Sequence, residues 1–113
     1  MDHIINQFIT FRNQIKLYHW KTSLYPRHVS TDTFLKKFDK HIDKFIETMS
    51  GGRDIKPVDG FNIKFEKLND KNVFDYVNIF REWLMEKLPT CLYEYETDLL
   101  NLRDEILADV NRM

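Results

Sequence analysis

The chain has 113 residues, with 17 Lys and Arg against 18 Asp and Glu, three Gly, three Pro and one Cys, a balance suited to one small domain with one core. Its net charge of -1 lacks the basic excess that drives phosphate binding, so a nucleic-acid partner is not expected. No run approaches the roughly 20 apolar residues of a membrane span, and no basic-then-apolar leader opens the sequence. A soluble cytoplasmic protein is the expectation, with the single Cys91 unable to form an internal disulfide and read as a buried structural thiol.

The first predicted helix covers about residues 2–20, where Ile4, Ile5, Phe8, Phe11, Ile15 and Tyr18 recur at helical spacing. The turn Thr22-Ser23-Leu24-Tyr25-Pro26 reverses the chain, and Pro26 opens a second helix, about 26–49, that Gly51 and Gly52 are expected to end. A third helix, about 70–88, follows from Val73, Phe74, Val77, Phe80, Trp83 and Leu84, and a fourth, about 98–112, from Leu99, Leu102, Ile106 and Val110, capped by Thr97 or Asp98. Tyr93 to Glu96, just before it, read as connection or as one further helical turn. Between Gly51 and Asn69 the connection is longer than the usual 2 to 8 residues of bundles, so it should cross the bundle. Phe61, Ile63, Phe65 and Leu68 alternate with polar residues there, yet one unpaired strand is less expected than an extended segment lying on the helices. The fold class is therefore all-α, a four-helix bundle of ferritin-like connectivity with a long crossover between helices two and three.

Chemistry concentrates on the second helix. At about 100° per residue, His28, Asp39, Asp32, Asp43 and Glu47 form one polar stripe, beside an apolar arc of Phe34, Leu35, Phe38, Ile42, Phe45, Ile46 and Met49. Lys36, Lys37, Lys40 and Lys44 lie farther round, where their stems reach water. At about 1.5 Å per residue, His28 and Glu47 are roughly 28 Å apart and Asp32 and Asp43 roughly 16 Å, too far to share one metal. Both pairs are nevertheless centred between Lys37 and Phe38. An antiparallel two-fold pairing of two copies would set His28 beside Glu47 and Asp32 beside Asp43, giving two equivalent sites of nitrogen and oxygen ligands suited to first-row metals such as iron. Chain connectivity leaves His19 near His28. The competing reading is a solvated boundary of i,i+4 charges on a lysine-rich helix.

The segment Tyr18-His19-Trp20, followed by His28, Asp32, Asp43 and Glu47 in the pattern His-x3-Asp-x10-Asp-x3-Glu, resembles the starvation-type mini-ferritins, the Dps branch of the ferritin-like superfamily. The gap between the two histidines is shorter here than in that family. The resemblance implies a ferroxidase site at a dimer interface, with His19, His28 and Asp32 from one chain and Asp43 and Glu47 from its neighbour; Asp39 is not part of that set. The whole chain, including the closing run Thr97 to Ile106, also resembles an uncharacterised ferritin-like family of large DNA viruses and phages, which brings no activity with it.

The leading expectation is an iron-binding homodimer that oxidises Fe(II) with O2 or peroxide, its carboxylates and imidazoles holding the metal. A non-catalytic helical dimer, acting as a structural or interaction protein, is the alternative, and a DNA-protecting protein the third reading. Dimer or cage is left open. Trp20 is either an oxidisable aromatic beside the site or an anchor that packs the loop. His41 faces away from the carboxylate stripe and is assigned to solvent or helix packing, His3 to a mobile terminus, and Glu94, Glu96, Asp98, Asp104, Glu105 and Asp109 to the surface.

Overall fold

Four helices form in a computed structural model that describes residues 1–57 and 60–113. They are α1 (Asp2–Lys21), α2 (Tyr25–Arg53), α3 (Val73–Glu82) and α4 (Thr97–Arg112). Among the described residues there is no strand. At ~1.5 Å per residue, the 29 residues of α2 account for the longest dimension of the molecule, 43 Å.

The side-chain contacts define the helix directions. Phe8 meets Phe45, Arg12 binds Asp39 and His19 meets Thr31, so α1 and α2 are antiparallel. Phe11 stacks on Phe80 and Tyr18 bonds Asp70, so α1 and α3 are antiparallel as well. Likewise Arg53 pairs with Glu96 and His41 with Asp109 between α2 and α4, and Arg81 with Asn111 between α3 and α4. It follows that α2 and α3 point the same way, and the connection between them must travel from one end of the bundle to the other.

Over residues 60–69 that connection is without helix or strand and follows α1. The Asn6 amide donates to the carbonyl of Asn62, and farther along the Gln14 amide donates to the carbonyl of Glu66 while its own oxygen accepts the Glu66 N–H. Gln14, buried at 2% exposure, thus supplies the two bonds that a neighbouring strand would otherwise supply. Phe61 and Ile63 are half-buried and Leu68 is buried, but Phe65 is exposed. Asn69 closes the segment, its side-chain oxygen accepting the N–H groups of Lys71 and Asn72, an Asx turn that delays α3 to Val73.

Aromatic rings fill the centre. Phe11 and Phe80 stack at 3.8 Å between centroids, Phe8 and Phe45 meet edge-on at 5.2 Å, and Phe38 and Trp83 close the cluster, arrangements that add to the area they bury. Beyond Glu82 the third helix widens into a π turn, Trp83–Lys87, and tightens into a 3-10 turn, Leu88–Cys91. Pro89, with no N–H to give, is incompatible with a regular continuation there. The widened turn aims the carbonyl of Leu84 at the Arg103 guanidinium.

Three sequence expectations change. First, α2 runs through Gly51 and Gly52 to Arg53, and the left-handed residue that ends it is Asp54, at φ 51°. Helical glycine costs about 1 kcal/mol against Ala, offset here by what the extra turn reaches: the Arg53 guanidinium binds both oxygens of Glu96 at 2.9 and 2.6 Å, donates to the Cys91 carbonyl and covers the Tyr93 ring. Second, Glu96 and Asp109 are buried rather than on the surface, because each has a cation or imidazole from α2 to meet it. Third, Cys91 is exposed, since the 3-10 turn places it on the outside. His3 lies in α1 with its ring 6.0 Å from that of Trp83. Tyr93 to Glu96 form a tight turn in which the Glu96 N–H bonds the Tyr93 carbonyl.

The Arg53–Glu96 pair carries a stability prediction. Arg53→Met leaves the Glu96 carboxylate buried without its cation and should cost about 3–5 kcal/mol in urea unfolding. The hydrogen bonds from Arg53, above all, hold Glu96 below the ordinary carboxylate value of 4.5. The native protein therefore keeps this contribution above pH 4.5 and loses it as pH falls through the lower folded value, whereas Glu96→Gln should show a flatter acid limb.

Candidate metal centre on the second helix

The bend between α1 and α2 brings two imidazoles together. His19, in the last turn of α1, is buried, and His28, in the first turns of α2, is exposed; their rings stack at 4.0 Å with 16° between planes. The His28 Nδ1–H donates to the His19 carbonyl at 3.0 Å. His19 Nδ1 lies 2.8 Å from the Thr31 hydroxyl, which itself donates to the Arg27 carbonyl. Both Nδ1 atoms are thus engaged, so Nε2 is the atom of each ring left for a ligand.

A second cluster fixes this end of the bundle. Tyr18 and Thr22 hydroxyls both donate to the Asp70 carboxylate at 2.7 Å, and Arg27 donates to the Asp70 carbonyl at 2.6 Å. These bonds, Thr22 first and Tyr18 second, hold the Asp70 carboxyl below its usual range. They tie the end of the crossover to the bend that carries the histidines. Burial, and then the nearby His28 and Lys16, lower the affinity of His19 for a proton.

Asp32 lies one turn beyond His28 and pairs with Lys36 at 3.1 Å; hydrogen bonding from that ammonium group is the main reason its carboxyl stays below the ordinary value. Asp43 and Glu47, about three and four turns farther along, are exposed and have no ion-pair or hydrogen-bond partner among the described residues. Asp39, in contrast, accepts two bonds from Arg12 at 2.9 and 3.1 Å. Trp20 is exposed, with Lys16 over its ring, so it does not anchor the bend by burial.

Within one chain the structure therefore joins His19 and His28, sets Asp32 near them and leaves Asp43 and Glu47 at a distance. Among the described residues no group of three or more His, Cys, Asp and Glu side chains is arranged to hold a metal ion. Periodicity missed Thr31, which steadies His19, because a threonine at an apolar position reads as core. Lys36, placed by the sequence among the lysines that reach water, also pairs with Asp32 one turn earlier.

Comparison with known proteins adds a classification. Residues 19–113 match DUF5856, a family of unknown function. The chain belongs to that family. The match begins at His19 and includes every candidate ligand and all of α2, α3 and α4. No curated protein matches the chain, and neither does any solved structure. No helix among the described residues is long and apolar enough to cross a membrane.

His19 predicts a pH dependence. A buried imidazole with lowered proton affinity stays neutral in the folded chain while the unfolded chain takes up a proton near 6.5. Its contribution is complete above pH 6.5 and is lost as pH falls through the lower folded value. Urea midpoints between pH 8 and 5 should decline for the native protein and decline less for His19→Asn; parallel curves would refute the assignment.

Proposed function

We propose that this member of DUF5856 is an iron-binding protein of ferritin-like build, in which α2 pairs with its counterpart in a second copy about a two-fold axis. His28 and Asp32 of one copy would then meet Asp43 and Glu47 of the other, and the assembled set would bind and oxidise Fe(II). The observation that carries this reading is the placement of Asp43 and Glu47: exposed and without partners among the described residues, on the polar stripe of α2 that also carries His28, Asp32 and the Arg12-bound Asp39, and away from the side where His41 meets Asp109. Carboxylates in that position attract a cation or a cationic neighbour.

Two further features support it. The single end-to-end crossover between α2 and α3 is the connectivity of ferritin-like bundles. The His-x3-Asp-x10-Asp-x3-Glu spacing resembles that of the Dps-type proteins, which implies His19 as an additional nitrogen ligand through Nε2 and Trp20 as an oxidisable neighbour. In the reaction each Fe(II) gives one electron to O2 or peroxide and becomes Fe(III), with hard carboxylate oxygens favouring the product. Lys36 must release Asp32 for the metal to enter, and an exposed ammonium held at 3.1 Å from a half-buried carboxylate is readily displaced.

A second reading, a non-catalytic helical dimer, draws on the same Lys36–Asp32 pair and on the exposed Lys40 and Lys44, which could match Asp43 and Glu47 across an interface by charge alone. Anaerobic Fe(II) titration followed by admission of air separates the two. Native protein should bind about two irons per shared site and oxidise them faster than buffer, and an Asp43→Ala, Glu47→Ala variant should lose both properties. Native protein that matches buffer, while remaining a dimer, would favour the non-catalytic reading.

A further inference from the structure

We propose that His41 and Glu105 form a separate divalent-metal site between α2 and α4, independent of the shared site on the free face of α2. His41 Nδ1 hydrogen-bonds Asp109, whose side chain is only 1% exposed. A carboxylate accepts and does not donate, so the Nδ1 atom carries the hydrogen and Nε2 is the free nitrogen. Nε2 faces the exposed carboxylate of Glu105 at 3.9 Å. In the neutral imidazole these are two acceptors confronting each other, and neither supplies a hydrogen to the other. A cation between them satisfies both.

The geometry suits a first-row divalent ion. With metal–nitrogen and metal–oxygen distances of about 2.1 Å, a tetrahedral ion holds two ligands roughly 3.4 Å apart, a small closure from 3.9 Å that the exposed Glu105 reaches by rotating inward. Water would complete the coordination. Asp109 is not a third ligand, because its contact is to the far ring nitrogen; it orients the ring, the outer-shell role that carboxylates play behind metal-bound histidines. Lys37 and Arg112, which line an adjoining cavity of about 190 Å³ with Asp109, temper the local field, so modest affinity is expected. An imidazolium bridging the two carboxylates is the rival account, and it has no affinity for metal.

The test uses the full chain with Asp43→Ala and Glu47→Ala already in place, titrated with Zn(II) at pH 7.5 while the His41 ring resonances are followed by NMR. The His41 ring should shift saturably with one zinc per chain. Adding Glu105→Gln, at an exposed position, should leave the metal-free melting temperature unchanged and weaken the site at least tenfold; Asp109→Asn should weaken it 10- to 100-fold. A His41 ring that zinc leaves unmoved, or an affinity that Glu105→Gln leaves unchanged, would overturn the proposal. Because Asp43 and Glu47 are absent throughout and the His41 ring itself is followed, failure here leaves the reading of α2 pairing untouched, and the converse also holds.

Discussion

The parallel course of α2 and α3 is the constraint on which the rest of this molecule depends. Two helices that point the same way cannot be joined by a tight turn, so the chain must spend residues 54–72 crossing from one end of the bundle to the other. An extended backbone on the surface of helices leaves its N–H and C=O groups without regular partners. Gln14 answers this with one side chain that both donates to and accepts from Glu66, and Asn6 adds a second tie at Asn62. The crossover in turn brings Asp70 to the bend between α1 and α2, where Tyr18, Thr22 and Arg27 bind it.

The same constraint explains why α2 carries so much of the polar chemistry. It is the longest helix and packs against α1 on one side and α4 on the other, with the aromatic cluster beneath. Each flank is fastened by buried or half-buried polar pairs: Arg12 with Asp39 toward α1, and His41 with Asp109 and Arg53 with Glu96 toward α4. Along the remaining polar stripe His28 and Asp32 lie near one end and Asp43 and Glu47 toward the other, with the Arg12-bound Asp39 between them. The proposed shared metal site and the proposed His41 site use different sides of this one helix, which is why either can be removed without disturbing the other.

Arg53 shows how distant residues decide a helix end. Gly51 and Gly52 are poor helix residues, and local preference alone ends the helix before them. The helix nevertheless continues to Arg53, whose guanidinium is bound twice by the buried Glu96 carboxylate, and Asp54 then adopts the left-handed turn instead. The π turn at Trp83 is a similar compromise, accommodating Pro89 while keeping Trp83, Leu84 and Leu88 in the core.

By itself the sequence determined the four helices, their core faces and the need for a long crossover, because apolar period, turn residues and connection length are local properties. It also placed His28, Asp32, Asp43 and Glu47 on one side of one helix, since that depends only on helical geometry. Tertiary structure decided what those residues, and others, touch: that His19 is buried against Thr31 and stacked on His28, that Asp32 is held by Lys36 while Asp43 and Glu47 meet no partner among the described residues, and that Glu96 and Asp109 are inside. The burial of a charged side chain depends on whether a partner arrives from another helix, and Arg53 and His41 meet theirs across separations of 43 and 68 residues. No local pattern encodes such pairings; they exist only once the helices have packed.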